Sequence, residues 1–401
     1  MKKKTIIIIN DFGFINGGAG KIAISTASSL ATQGYNIIFF CAVGPICQEL
    51  THPNIQVICT NQADILHDSN RFRAIIQGLW NLKAKKLFRE ILKSNKPENT
   101  IIHFHAWIKA LSPSIFSLKE LKQYKIYLTL HDFFLYCPNG GFYIYPKQQI
   151  CHYNPMSKKC ILCNCDSRSY IQKTWRLVRQ YIQNKQLNRL SSITFISISD
   201  LSENLFKTNY KFKFHHITRN NNPVDSPHSI EESQHKDLYL FMARLSSEKG
   251  LDLFCKSIYD CNVKGCVIGD GYLKETYEKK YPHIQFTGWL SGVEKTQYIQ
   301  KTKFFVFPSQ WYETFGLSVA EMLSYGIPCI VSNTSAAKEL IIDNKSGFIF
   351  QNGDIDSLIE TINKAEQADW LSMHKYIKNN FNINDYSMNN HIYRLLEIYS
   401  K

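Results

Sequence analysis

Short apolar runs that fail to alternate constrain this chain more than any other feature. Residues 6–9, 36–42, 55–60, 101–105, 126–130 and 193–197 are dominated by β-branched and aromatic side chains. A strand with one wet face alternates apolar with polar. A run apolar throughout is covered on both faces, as in a parallel sheet with helices on either side. Helical patterns separate the runs, which gives the βαβ rhythm of a doubly wound sheet. A second set follows at 238–242, 265–268, 283–287, 303–307, 329–332 and 347–350. Between the sets, NNNPVDSPHSIEESQ holds two prolines and little periodicity, and reads as a linker. The expectation is an α/β chain with a first Rossmann-like domain over 1–220, a linker over 221–235, a second such domain over 236–383, and a closing amphipathic helix within 384–401.

At 401 residues, 44% hydrophobic and 20% charged, the chain is globular and long enough for two or three domains. No apolar run approaches the roughly 20 residues that span a bilayer. The opening MKKKTIIIIND imitates a signal peptide, but its apolar part stops at Asn10-Asp11 and no small-residue cleavage site follows. It reads as a first strand, so a cytoplasmic protein is expected. The net charge of +14 is uneven: residues 1–235 carry 29 Lys and Arg against 14 Asp and Glu, residues 236–383 carry 16 against 17. A basic first half predicts an anionic partner. Two helices expected over 78–96 and 171–190 have basic outer faces suited to an anionic inner-membrane surface; the plain alternative is two ordinary surface helices.

The stretch 308–328, PSQWYETFGLSVAEMLSYGIP, follows an apolar run. It predicts a loop, then a helix over 317–325 closed by Gly326 and Pro328. Glu313 and Glu321 have seven residues between them, and Gly316 lies at the helix start, where free amides favour an anion. Near the N-terminus, Gly17-Gly18-Ala19-Gly20-Lys21 precedes a helix expected from 22 to 33. A P-loop is excluded there because Ile22 holds the Ser/Thr place. His131-Asp132 follow the run at 126–130, and His103 and His105 end the run before it. Ligands of open parallel sheets bind outside the carboxyl ends of strands, which is where all of these fall. Arg244 and Lys249 offer two cations to a diphosphate.

Glu-x7-Glu around Phe-Gly, between Pro-Ser and Gly-Ile-Pro, resembles the signature of retaining glycosyltransferases of family 4, which have the two-domain GT-B fold. Arg-Leu-x-x-Glu-Lys-Gly at 244–250 resembles the family's diphosphate segment, and Thr-Leu-His-Asp-Phe at 129–133 its reacting-sugar histidine. The resemblance implies two doubly wound domains facing across a cleft. It implies donor contacts at Gly18, Gly269, Gly271, Phe315, Gly316 and Leu317, and ribose hydroxyls on Glu321. Glu313 and His131 would face the donor sugar, Arg244 and Lys249 the diphosphate, and His105 the acceptor cleft, with His103 buried. The partners implied are a nucleoside-diphosphate sugar and a hydroxyl of a growing surface glycan of capsule or lipopolysaccharide type, on a lipid carrier. No Asp-x-Asp motif marks a Mg²⁺ for the donor, so no cofactor is expected for transfer. A nucleotide-sugar epimerase of the same fold, or a zinc-stapled nucleic-acid-binding protein, are the alternative readings. Against the latter, the basic residues do not interleave with a recognition element, and no nucleic-acid partner is expected.

Five of the twelve cysteines fall between Cys137 and Cys165. Cys160-x2-Cys163 has zinc-knuckle spacing, and four thiolates satisfy a closed Zn²⁺ site. Unligated buried thiols and a disulfide are the alternatives. The region, about 137–166, resembles a Cys-bearing insert of some bacterial family members. That implies Cys137, Cys151, Cys160 and Cys165 as ligands, with Cys163 as substitute, shaping the acceptor side of the cleft.

Overall fold

The computed structural model describes residues 4–190, 192–210, 215–225 and 236–401. The first part runs β1 (Thr5–Ile9), α1 (Gly18–Thr32), β2 (Asn36–Cys41), β3 (Ile55–Cys59), α2 (Arg71–Leu79), α3 (Leu82–Lys93), β4 (Thr100–Phe104) and β5 (Lys125–Thr129). A hairpin of β6 (Tyr143–Ile144) and β7 (Gln149–Ile150) follows, then α4 (Lys158–Leu162), α5 (Tyr170–Leu187), β8 (Ile193–Ser197), α6 (Asp200–Asn209) and β9 (His215–Arg219). The second part runs β10 (Leu238–Met242), α7 (Leu251–Asp260), β11 (Lys264–Ile268), α8 (Lys274–Lys280), β12 (Gln285–Gly288), α9 (Gly292–Lys301), β13 (Thr302–Phe307), α10 (Leu317–Ser324) and β14 (Cys329–Ser332). It ends with β15 (Gly347–Phe350), α11 (Ile355–Glu366), α12 (Trp370–Asn380) and α13 (Met388–Ser400).

Two parallel sheets result, ordered β3-β2-β1-β4-β5-β8-β9 and β12-β11-β10-β13-β14-β15. Burial explains the unbroken apolar runs. Ile7 and Ile9 pack with Phe88 and Phe104 on one face of the first sheet, while Ile6 and Ile8 pack with Ala27 and Leu30 of α1 on the other. The second sheet is covered on both faces in the same way. β9 escaped the sequence reading because HHITR is an edge strand with polar residues.

The closing helix α13 belongs to the first sheet's core. Ile392, Leu395, Ile398 and Tyr399 pack beneath α1, and Tyr399 Oη lies 2.7 Å from His103 Nδ1. Of the expected linker, 226–235 lies outside the described residues. On its near side Lys21 pairs with Asp225 at 2.6 Å, and Asn220 Nδ2 donates to the carbonyl of His391.

Two helices differ from expectation. The one expected over 78–96 is two, because Asn81 caps α3 instead of continuing α2. Its Oδ1 accepts from Ala84 N at 3.0 Å while its own N–H donates to Ser112 Oγ at 2.9 Å. α1 begins at Gly18 and not near Ile22: Gly17, with φ 91°, takes the backbone angle a side chain would disfavour, and Gly18 to Gly20 become the first helical turn.

Candidate active site

Strand order reverses between β1 and β4 in one sheet and between β10 and β13 in the other. Loops leaving neighbouring strands there diverge to opposite faces and open a crevice. The expected residues of the sugar and diphosphate site leave those strand ends, and the two crevices face each other. A Cβ placed on Gly18 at the start of α1 would stand 3.0 Å from Leu317 Cδ1 at the start of α10. Thr314 Oγ1, after β13, donates to the carbonyl of His131, after β5, at 2.9 Å.

On the second-domain side Gly316, with φ 100°, caps α10. Phe315 is buried against Ile198 and Ala320, so its backbone and not its ring borders the crevice. Glu313 Oε1 accepts from Lys249 Nζ, from Ser309 Oγ at 2.8 Å and from Trp311 Nε1 at 2.7 Å. Burial works to raise the Glu313 pKa, but the adjacent ammonium and the two neutral donors outweigh it and hold the carboxyl below its usual range. Lys249 therefore rests on Glu313, not free in the crevice. Arg244 is steadied by buried Glu248, whose Oε1 accepts from it at 2.9 Å and from Ser246 Oγ at 2.7 Å; its side chain stays 64% exposed. Glu321 pairs with Lys295 of α9, a partner no motif indicated.

Gly269 and Gly271 have a sufficient explanation in packing. A Cβ at 269 would stand 1.9 Å from Ala243 O, and one at 271 would stand 2.4 Å from Leu245 O. The β11 turn can lie on the β10 loop only without side chains there. An Asp-x-Asp triplet is present, contrary to expectation, at 354–356. Asp354 Oδ1 accepts from Asp356 N and Ser357 N at 3.0 and 3.1 Å, so it caps α11.

On the first-domain side, half-buried His131 and buried His105 face each other, His131 Nε2 lying 2.8 Å from His105 Nδ1 with the rings stacked at 5.1 Å. Burial drives the His131 pKa down to about 3 and that of His105 well below the usual imidazole value, so both rings are neutral. His103 is buried between Tyr399 and Thr129. Asp11 is a structural clamp, its carboxylate accepting from the backbone N–H groups of Lys109, Ala110 and Leu111 at 2.8–2.9 Å.

The cysteine insert belongs to the first domain, and its tip also rests on the opposite domain's loop after β13. A Cβ on Gly141 would stand 2.7 Å from Trp311 Cε3, Tyr143 Oη donates to Gln310 Oε1 at 3.3 Å, and the Phe142 and Tyr312 rings meet at 6.2 Å. Cys137, Cys160 and Cys165 are buried, Cys151 and Cys163 half-buried. Among the described residues no three His, Cys, Asp or Glu side chains form a metal-binding group. Lys173, 1% exposed, instead points its ammonium at Cys165 Sγ (3.1 Å) and Cys160 Sγ (3.7 Å). A cation among the thiols repels a second one, so as they stand these donors do not fit Zn²⁺.

Residues 225–382 match the family model described as glycosyl transferases group 1. The chain is similar to the sulfoquinovosyl transferase SQD2 of Arabidopsis thaliana, at 32% identity over 36% of this chain and 33% of the relative. It is also similar to the UDP-Gal:alpha-D-GlcNAc-diphosphoundecaprenol alpha-1,3-galactosyltransferase of Escherichia coli, at 29% identity over 29% and 33%. The chain thus spans about a third of the length of these curated relatives. Over its whole length it superimposes on Anabaena Alr3699/HepE solved with UDP-glucose, with TM-score 0.65, 16% identity, and 99% of each chain covered. The fold is GT-B. In GT-B terms, the matched family region contains Arg244, Lys249, Glu313 and Glu321. His131, His105 and the insert belong to the other GT-B domain. Trp311 and Lys295 are the crevice residues that motif reading missed. A tryptophan inside an otherwise polar loop was the available signal for Trp311; nothing local pointed to Lys295.

Proposed function

We propose that this chain is a retaining glycosyltransferase. It would move a sugar from a nucleoside diphosphate to a hydroxyl of a growing, lipid-linked surface glycan at the inner face of a membrane. One observation carries the reading: Lys249, Glu313 and the start of α10 share a crevice with Gly18 and His131 of the facing domain. The diphosphate would meet the amides of α10 and the cations Arg244 and Lys249, which stabilise the charge that grows as the bond from the anomeric carbon to phosphate breaks. The acceptor oxygen would bond to that carbon from the same face, its hydroxyl proton passing to the departing diphosphate oxygen. Neutral His131 can hydrogen-bond the sugar without adding a charge to the site. HepE in complex with UDP-glucose supports the donor class, and the galactosyltransferase named for a diphosphoundecaprenol acceptor supports the acceptor class.

The membrane part rests on a surface. Exposed Phe72, Ile75 and Ile76 of α2, Leu162 of α4 and Ile171 of α5 adjoin, since Trp175 Nε1 donates to Ile75 O and Tyr170 Oη to Ile161 O. Exposed Arg71, Lys158, Lys159 and Arg168 lie on the same segments. Cations interleaved with large apolar groups suit the boundary between headgroups and acyl chains of an anionic bilayer. Among the described residues no helix is long and apolar enough to cross a membrane.

A thermal-shift panel of nucleoside diphosphates and their sugars tests the reading. Ligand at a hundredfold its Kd should stabilise the protein by about 2.7 kcal/mol, and Glu321→Ala should abolish the nucleotide shift. An unshifted wild-type protein across the panel overturns the function; a full shift in Glu321→Ala overturns the ribose assignment alone.

A further inference from the structure

The cysteine insert is the one singled-out feature that the proposed transfer leaves without a task. Its contacts supply one. Three donors converge on Glu313 Oε1, and one of them, Trp311 Nε1, belongs to a ring wedged between the two domains. One side of that ring carries Lys249 Nζ at 5.0 Å from its centroid. The Gly141 backbone lies so close to the indole that a Cβ there would stand 2.7 and 2.9 Å from two of its carbons. Gly141 is itself anchored. Arg176 donates to Asn139 Oδ1 at 2.7 Å, Asn139 Nδ2 donates to Cys165 O at 2.8 Å, and Tyr143 Oη reaches Gln310, whose Nε2 donates to Asp252 at 2.9 Å. The insert and the 310–314 loop thus lock together, and the indole N–H is the link from that lock to the carboxylate.

We propose that Trp311 is a positioning residue: Gly141 of the insert seats its indole, and the indole N–H aims the Glu313 carboxylate at the donor sugar. This rests on the donor-site reading above. With Oε1 held by three donors, Oε2 is the oxygen presented to a sugar hydroxyl. The insert then serves the donor carboxylate from the acceptor domain, so the carboxylate is fully oriented only while the two domains are closed on each other.

The test is a double-mutant cycle on donor turnover. Trp311→Phe keeps a ring against Gly141 and deletes the N–H. It should lower kcat about tenfold, the scale of one hydrogen bond to a charged group, with the donor KM within about twofold because the nucleotide end is untouched. Gly141→Val, which displaces the ring, should lower kcat similarly in the wild-type background and have little further effect in Trp311→Phe. Additive losses, a change in KM alone, or unaltered kcat in Trp311→Phe would overturn the proposal. Fluorine NMR of fluorotryptophan-labelled protein gives a readout without turnover. The resonance of residue 311, assigned by its loss in Trp311→Phe, should move in both Gly141→Val and Glu313→Gln; a resonance that ignores both overturns the positioning. A wild-type protein that binds and turns over no nucleoside-diphosphate sugar, yet shows both displacements, would sink the function and leave the positioning intact.

Discussion

His131 and His391 are imidazoles that the fold keeps uncharged, with burial driving their pKa values to about 3 and about 4. In an unfolded chain they would titrate near the ordinary value of about 6.5. Between those values the unfolded chain binds more protons than the native one, so stability rises with pH there. The contribution is complete above about 6.5 and is lost as pH falls toward the folded values. At pH 5 each neutral ring costs about 2 kcal/mol relative to pH 7. The melting temperature should therefore fall between pH 7 and pH 5, and His131→Gln should flatten that fall. An equal slope in the variant would mean that His131 is protonated in the native protein. No imidazole limb from His131 should appear in an activity profile across neutral pH. The sequence placed this histidine at a strand end; its neutrality comes from burial, with a smaller contribution from His391.

Among the elements, the insert from Cys137 to Cys165 departs most from its expectation. Cysteine spacing reads as a metal site because spacing reports which thiols could meet, not what else is there. Lys173 comes from α5, eight residues beyond Cys165, and its charge takes the centre. A buried ammonium without an acceptor is costly, while removing both partners is far less so. Cys165→Ala should thus destabilise the protein by about 2 kcal/mol, and adding Lys173→Met should recover most of it. Thermal melts of the two variants decide this; a double variant no more stable than Cys165→Ala would show that Lys173 does not depend on the thiol. The split of the helix expected over 78–96 has a similar cause. Apolar periodicity continues through 80–81, but Asn81 accepts from the Ala84 amide and donates its own N–H to Ser112 Oγ, and both partners are fixed by the fold.

For the whole molecule, the first half's excess of positive charge acquires a direction. The apolar side chains beside it, Phe72 at 73%, Leu162 at 77% and Ile171 at 82% exposure, share one face of the first domain. Sedimentation with phosphatidylglycerol vesicles should exceed that with phosphatidylcholine and weaken with salt. Phe72→Ser combined with Ile171→Ser should reduce it about tenfold or more, since each large apolar group transferred from water contributes about 1.5–3 kcal/mol. Unchanged sedimentation of the double variant, or equal binding to both lipids, would remove this face from the membrane.

The amino-acid sequence was enough to locate all but one strand of the two main sheets, to count the sheets, and to place at strand ends the motifs proposed to hold a diphosphate and a sugar. Periodicity and turn residues are local, and burial on both faces leaves its mark within five residues. The tertiary structure alone decided that Lys249 rests on Glu313, that Lys295 meets Glu321, that the insert lands on Trp311 and that two histidines share a bond. Those contacts join separate elements, 26 positions apart for Lys295 and Glu321 and 64 for Lys249 and Glu313, and the contact of His131 with Thr314 spans 183. Which loops meet depends on strand order and on how the two sheets face, and neither leaves a trace in local pattern.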